Sequence, residues 1–557
     1  MTAASAGTGR DIFPKLRRLT TVQLLCAMLG LVLALQVELV FSKSANWDEF
    51  FHFSQIHQHL LGRPAPWLQA PFVALFSWVP SLPGDNIDHI QLIRLLILPF
   101  ELVTIAAIAG MASRFAGRET ALLCGLIYAT GGYVFLHAFA LRADMIAAAL
   151  LMTALWLGLC RPLRGRDIAL ILFLVGLAFV STIKAVLYAP AFLGVALFRL
   201  EKPGHRRALA SATLLAALAG LSLLWLAPHL PATGPMGILH DIGDLGRASI
   251  DRMFSGGVFP QGEWLVRQIV FAPLLSLAIL ATLVYACWPG RGRMNRILFL
   301  SLLAPLATVA VYRNAFPYHF AFILPPAAVA IVPVVEWLRR RYGVGAVAFL
   351  PLVGALLLSF NEDRDVLPRQ RTIQAGIHTI FPAPVTYIDN SGMAGDFPRA
   401  VNHFASGWGL ENYYRSGEPI YSQTMAAEPV PMLLANNVVL QDLFYDTFFD
   451  GRLLPEDDKT LRENYIPHWG RVFVAGKVIA PDERQVAIEI AVPGRYTVEG
   501  GGIDIDGQHY SAGSVVTLAR GVHSISGGRA ADVTLRWGDH LARPVFAWPK
   551  GTIFTEY

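Results

Sequence analysis

Cysteine is scarce in this 557-residue chain: there are four, Cys26, Cys124, Cys160 and Cys287, each alone in or beside an apolar block. No Cys-x-x-Cys or metal-ligand spacing occurs, which argues against a structural zinc site or a disulfide framework. Charge is scarce as well, at 15% of residues, where ordinary soluble domains carry about a quarter. There is neither a Walker A run nor a dinucleotide fingerprint, so a nucleotide-driven pump is disfavoured. The net charge of +5 does not indicate nucleic acid, because most cations of the first 360 residues sit in short clusters between apolar blocks, as topology signals do. Beyond Asn361 long apolar runs are missing too, and the chain divides there.

Up to Phe360 apolar residues fall in blocks of roughly 16–25, enough to cross a hydrocarbon core of about 30 Å. The expected fold is a polytopic α-helical membrane protein of about eleven spans. They lie near 20–41, 88–113, 119–138, 143–160, 167–182, 184–199, 208–228, 267–288, 296–312, 317–338 and 343–360. The first reads as a retained span, since no small-residue cleavage site follows it. Basic clusters occupy alternate connections: Arg10 to Arg18, Arg114/Arg118, Arg161/Arg164/Arg166, Arg199 to Arg207, Arg291/Arg293/Arg296 and Arg339 to Arg341. Positive-inside bias then places the N-terminus in the cytoplasm and the C-terminus outside.

Residues 1–360 form the expected membrane domain. The tail reads as an α/β region at 361–480 and a β-rich region at 481–557. In the second, the alternation of Val486, Ile488, Ile490 and of Tyr496, Val498 is punctuated by Pro-Gly, Gly-Gly and Asp-Gly turns, the pattern of a small β-sandwich.

Chemistry-bearing residues collect on the outward side. Asn46-Trp47-Asp48-Glu49-Phe50-Phe51-His52 follows the first span directly, and adjacent acids flanked by aromatics are unusual at a membrane surface. One carboxylate can serve as general base, the other as its partner or as a metal ligand; the plain alternative is a solvated pair at a helix start. Asp144 opens the fourth span after Arg142, where an acid also favours the helix dipole and an arginine can be an interfacial anchor. Lys184 interrupts a long apolar region, either snorkelling or placed to hold a phosphate. Arg313 and His319, in the turn Tyr312–His319, offer similar chemistry. His52, His57 and His59 match no strong zinc pattern, and the loop His240–Asp251 lacks a calcium-loop register.

With these residues assembled, the chain resembles the GT-C superfamily of membrane glycosyltransferases, in the branch of protein O-mannosyltransferases and the lipid A aminoarabinose transferase. Asp48-Glu49 is similar to that family's first-loop acidic motif, and Arg142-x-Asp144 to its second acidic position. Gly176–Lys184 resembles its "GLAFLTKGP" segment, although Ala-Val follows Lys184 here. Arg94 resembles the arginine opening its second span. The resemblance implies transfer of a sugar from a polyprenyl-phosphate donor to a hydroxyl on a lipid, glycan or protein acceptor, with inversion, in a bacterial inner membrane whose periplasmic side carries the tail. Asp48, Glu49 and Asp144 would be catalytic, and Lys184, Arg313, Arg94, His319 and Arg142 would lie at the donor phosphate. No cofactor is required by this reading; a divalent cation, if used, would take Asp48, Glu49 and Asp144. Membrane lipids are implied partners and nucleic acid is not. A transporter or flippase of lipid-linked glycans, or a non-catalytic assembly subunit, are the competing readings; transport predicts ionisable residues near the midplane of spans, where Glu101 is the main example.

Overall fold

A computed structural model describes residues 20–62, 70–201, 256–288, 292–401, 407–441, 453–481, 485–526 and 532–555, with 206, 210, 443 and 444. The expected span at 208–228, the loop from 229 to 255 and the cluster Arg10 to Arg18 lie outside the described residues. Helix α1 (Thr21–Ser42) starts where Thr20 and Gln23 cap each other's backbone N–H groups, and is apolar on all sides, as lipid requires. A short extended stretch leads into α2 (Trp47–Leu60), which carries the acidic pair. The short α3 (Ala70–Phe76) and then α4 (Asn86–Ala112) follow, the latter long enough to cross a bilayer, at about 40 Å.

The expected span 119–138 is broken. It contains α5 (Arg118–Ala129) and the single turn α6 (Tyr133–His137), separated by Thr130-Gly131-Gly132, with Gly132 at φ 61°. The exposed backbone groups are met by Gln268, whose amide donates to Gly131 O at 3.0 Å and accepts from Tyr133 N at 2.9 Å. Irregular backbone is tolerated at such depth when protein satisfies it. Next come α7 (Ala143–Cys160), α8 (Gly165–Ser181), a 3₁₀ turn Ile183–Tyr188, and α9 (Ala189–Leu200).

Among the described residues six helical stretches are long and apolar enough to cross a membrane: Thr21–Ser42, Asn86–Ala112, Ala143–Cys160, Ile183–Leu200, Arg293–Ala310 and Val332–Ile380. The pair Gly262–Phe271 and Pro273–Cys287, bent by 103°, makes a seventh if counted as one. The expected total was higher for physical reasons beyond the undescribed segment. The 119–138 run is cut by its glycines, and α8 has only 17 residues. Pro317–Ala330 is also short of a full crossing, and Val332–Asn361 is a single stretch with a kink at Gly343 (φ 81°).

The tail begins with the helix Val366–Ile380, whose Ile373, Ile377 and Ile380 are buried in the same core as the membrane helices. Arg371 ties it to the start of α4, reaching Asp85 and Asp88 at 2.7 Å. Strands β1 (Tyr387–Ile388), β2 (Met432–Leu434), β3 (Tyr465–Trp469) and β4 (Val472–Ile479) form the first part of the tail. After them come β5 (Gln485–Ile490), β6 (Gly494–Glu499), β7 (Ile503–Ile505), β8 (Gln508–Tyr510), β9 (Val515–Leu518), β10 (Gly521–Ser526) and β11 (Val533–Trp537). One sheet runs β1-β2-β4-β11-β6-β9, with β3 also on β4; the other runs β5-β10-β7-β8. Among the described strand pairs, β1 and β2 alone are parallel. The inward residues of both sheets form one apolar core, including Ile488, Val498, Ile525 and Leu535. Strand β4 pairs with β2 and β3 along its first half and with β11 along its second, so the boundary expected at 480/481 falls within a continuous sheet.

Candidate active site

The site is built on the first turn of α2. Asn46 caps this helix: its side chain accepts from Asp48 N at 2.9 Å, and Glu49 reaches back to Asn46 N at 3.0 Å. That capping box fixes two adjacent carboxylates with different sets of partners.

Glu49 turns inward, where it is 3% exposed. Its Oε1 accepts from Arg94 Nε at 2.8 Å and from Leu141 N at 2.9 Å. Its Oε2 accepts from Asn46 N and from the second arm of Arg94. Four donors occupy the lone-pair positions of two oxygens. Burial pushes the Glu49 carboxyl up, but the charge of Arg94 and the hydrogen bonds from Arg94, Leu141 and Asn46 outweigh it and hold it below the usual range. Arg94 is equally committed: beyond Glu49 it donates to Lys43 O at 2.8 Å, Ser44 O at 2.7 Å and Val40 O at 3.3 Å. The geometry therefore corrects two expectations. Glu49 has no oxygen left for a proton or a metal, and Arg94 has no arm turned toward a phosphate; together they pin α2 to the end of α1 and to the loop before α7.

Asp48 has different partners. Its Oδ2 is ion-paired with Arg142, and its Oδ1 lies 3.5 Å from His52 Nε2, one helical turn on. Burial pushes His52 down to about 4, so this imidazole is neutral at ordinary pH. Arg142 is the residue before α7, in extended backbone. From there it spans both acids, pairing through Nε with Asp144 Oδ2 at 2.8 Å as well as with Asp48. Asp144 Oδ1 takes Lys184 Nζ at 2.8 Å. Lys184 owes its position to Thr182, whose extended backbone ends α8 and whose hydroxyl caps the 3₁₀ turn. Asp48, Arg142, Asp144 and Lys184 thus make one chain of alternating charge. Three separate stretches of sequence supply it.

Tyr318, not singled out from sequence, is the floor of this chain: the Arg142 guanidinium lies 3.4 Å and Lys184 Nζ 4.8 Å from its ring centroid. An aromatic in the outward turn beside Arg313 was the only available signal. Lys43 was also unforeseen. It pairs with Glu362 at 2.6 Å, both side chains being largely buried. A narrow pocket opens among Lys43, Asp48, Arg142, Tyr318 and Thr555, with Glu49 and Arg94 also in its wall, and a cavity volume of ≈ 10 Å³, room for about one water.

Of the two other expected phosphate contacts, Arg313 turns away from the cluster, whereas His319 lies buried beside it, within reach of the charges of Lys184, Asp144 and Arg142. Arg313 grips Glu411 of the helix Gly407–Ser416 with both guanidinium arms, one at 2.6 Å. His319 is fully buried, its ring against Tyr312 and its Nε2 3.2 Å from the Thr308 hydroxyl. A divalent cation does not fit the expected trio: Glu49 is saturated, and Asp48 and Asp144 share Arg142. Among the described residues no group of three or more His, Cys, Asp or Glu has the geometry to hold one.

No family model matches the sequence, and no curated protein does. Solved structures do match. ArnT from Cupriavidus metallidurans, solved with undecaprenyl phosphate bound, superposes with a TM-score of 0.51 at 12% identity, over 76% of this chain and 95% of that one. The Archaeoglobus fulgidus oligosaccharyltransferase, solved with zinc and sulfate, gives 0.51 at 12% identity over 90% and 94%. This is the GT-C fold. At such identities the likeness establishes architecture in a membrane protein; it carries no residue roles across.

Proposed function

We propose that this chain is a GT-C glycosyltransferase that moves a sugar from a polyprenyl-phosphate donor to a hydroxyl acceptor on the non-cytoplasmic face of the membrane. The observation that carries the reading is the convergence of Asp48, Asp144 and Lys184 through Arg142 in one cluster at the tail end of the bundle. These residues are 96 and 40 positions apart at their closest steps, and a purely structural role needs no such meeting of three loops. Asp48 Oδ1, the oxygen not held by Arg142, takes the proton of the acceptor hydroxyl as it attacks the anomeric carbon, giving inversion. The polyprenyl phosphate departs with growing negative charge, which Lys184 and Arg142 stabilise more in the transition state than before it. Asp144 is the positioning residue that holds both cations. Glu49 and Arg94 hold α2 so that Asp48 stays aimed at the pocket.

The inward location of the basic clusters supports a cytoplasmic N-terminus. Arg114 and Arg161 follow the ends of α4 and α7 that lie away from the site, roughly 30–40 Å along those helices. We place the enzyme in a bacterial inner membrane with a periplasmic tail and, counting 208–228, the broken 119–138 run and the short helices as crossings, about eleven spans. Residues 1–360 are the transferase domain, with 361–480 and 481–557 forming one folded tail. Transport is disfavoured by the position of the charges: Glu101, the mid-span acid, is fully buried and bonded to Gln36 at 3.1 Å rather than lining a passage. Mass spectrometry of lipid carriers and envelope glycans from a deletion strain tests the reading. A carrier-linked sugar should accumulate and one glycan residue should disappear; an unchanged glycan profile with unchanged carriers would remove the transfer function.

A further inference from the structure

One wall of the pocket beside Asp48 is supplied by Thr555. After β11 the segment 541–555 crosses the tail and returns to the start of α2. Its middle is clasped by aromatics: Trp469 donates to Phe546 O at 2.9 Å, and its ring meets those of Phe546 and Trp548 at 5.6 and 5.0 Å. Gly470, at φ 52°, lies so close to Trp548 that a Cβ there would come within 2.3 Å of the indole. The far end is anchored too: Ile553 is buried in the main apolar core and Arg369 donates to Thr552 O at 3.3 Å. Gln370 donates to Ile553 O at 2.9 Å while also bonding both backbone groups of Ala45. The ring of Phe554 meets Phe50 edge-on at 6.0 Å, and the Thr555 hydroxyl lies 3.2 Å from that of Ser44. Between clasp and end sits Gly551, at φ 101°, a backbone position that only glycine adopts without strain.

Thr555 thus brings an aliphatic hydroxyl into the pocket that Asp48 and Arg142 line. That is the functional group a sugar acceptor presents to a general base. Given the transfer reading above, on which this rests, we propose that Ile553–Thr555 occupies the acceptor subsite, and that a hydroxyl-bearing acceptor binds there by displacing this end of the strap. The pocket holds about one water with the strap in place, so acceptor and Thr555 exclude each other. Phe50 precedes the turn of Phe51 and His52 on the helix that carries Asp48, so the surface uncovered by release is continuous with the base. The anchored clasp at Trp469 and Trp548 keeps the released end local, and the swing falls at Gly551.

Two measurements on the full chain in phospholipid nanodiscs or membrane vesicles test this. Thr555→Cys is labelled with a water-soluble maleimide, against Val545→Cys, a fully exposed position on the same strap, as reference. Thr555 is half-buried with the strap in place, so a strap closed about nine-tenths of the time should label several-fold, and at most about tenfold, more slowly than the reference. Adding Phe554→Ala to the Thr555→Cys chain should raise its rate toward the reference. Equal rates at 545 and 555 in the parent background would overturn the proposal without reference to catalysis. In the second measurement Ser44→Cys/Thr555→Cys is oxidised to tether the strap, and transfer from the vesicles' own lipid-linked sugar is followed. The tethered form should transfer only at background level and regain its rate after dithiothreitol, because the bridge removes the open fraction altogether. A bridged protein, verified by mass, that transfers as fast as its reduced form would sink the idea. A chain that transfers nothing in any form refutes the transfer reading instead, while the labelling rates still decide whether the strap closes.

Discussion

Asp48 and Glu49 are neighbours in sequence and line the same narrow pocket, yet the structure gives them different partners and opposite demands. On the inner side, Glu49 and Arg94 form a saturated clamp: every lone pair of the carboxylate is used and the guanidinium is 1% exposed. On the outer side, Asp48, Arg142, Asp144 and Lys184 stay near a pocket, and Asp48 keeps one oxygen with only a 3.5 Å neighbour. A helix start enforces the split, since successive residues point about 100° apart around the axis. Acidic pairs of this kind are thus read by their donors: a carboxylate with four donors is architecture, and one with a free lone pair can do chemistry.

The contrast breaks most sharply at the pair itself. Asp48→Asn removes the base and should cost about 10²–10⁴-fold in transfer, with the melting temperature of the detergent-purified protein nearly unchanged. Glu49→Gln should do the reverse. It leaves Arg94 charged and buried without its partner, a loss of about 3–5 kcal/mol in stability, while whatever protein still folds keeps measurable transfer. If Glu49→Gln folds as the parent does and loses transfer, the two roles are exchanged and the clamp interpretation fails.

The next effect is at the leaving group. Lys184→Met preserves length and removes the charge, and should lower transfer about 10²–10³-fold, the usual cost of losing one transition-state donor. Because Asp144 would then keep only Arg142, Asp144→Asn in the Lys184→Met background should add less than it does alone. Full additivity of the two would mean that Asp144 does not act by holding Lys184.

Acid separates the regions more gently. The Glu49 carboxyl is held below its ordinary value by Arg94 despite burial. Its contribution is therefore complete above the unfolded carboxylate value of about 4.3 and is lost as pH falls through the lower folded value. The gap in melting temperature between parent and Glu49→Gln should be widest above about pH 5 and narrow below about pH 4. A gap that widens on acidification would reverse the sign of the Glu49 argument.

Much of this was legible beforehand. The membrane character and the β-rich end follow from hydrophobic period and turn chemistry, which are local. Asp48, Asp144 and Lys184 stood out in the sequence because charged residues beside apolar spans need a reason, and the structure brings the three together through Arg142. The partition between Asp48 and Glu49 was not legible, because it depends on which donors Arg94, Leu141 and Asn46 bring from elsewhere in the chain. The same holds for the break at Gly131-Gly132, which looked like a continuous span until Gln268 supplied its hydrogen bonds, and for Tyr318, whose ring matters only because two cations reach it.

Arg313 is where sequence and structure part company most usefully, and it carries the smallest expected effect. As a phosphate contact it should behave like Lys184. In the structure its fork closes on Glu411, with the side chains 22% and 48% exposed. An ion pair that wet is worth about 0–1 kcal/mol, so Arg313→Ala should shift the melting temperature little and transfer by no more than a few-fold, with Glu411→Gln doing the same. Both substitutions loosen the hold of the helix Gly407–Ser416 on the turn before Tyr318, and neither removes a charge from the chain of Asp48, Arg142, Asp144 and Lys184. An Arg313→Ala loss comparable with that of Lys184→Met, and absent from Glu411→Gln, would mean that the guanidinium leaves Glu411 when the donor binds and belongs to the phosphate side of the comparison after all.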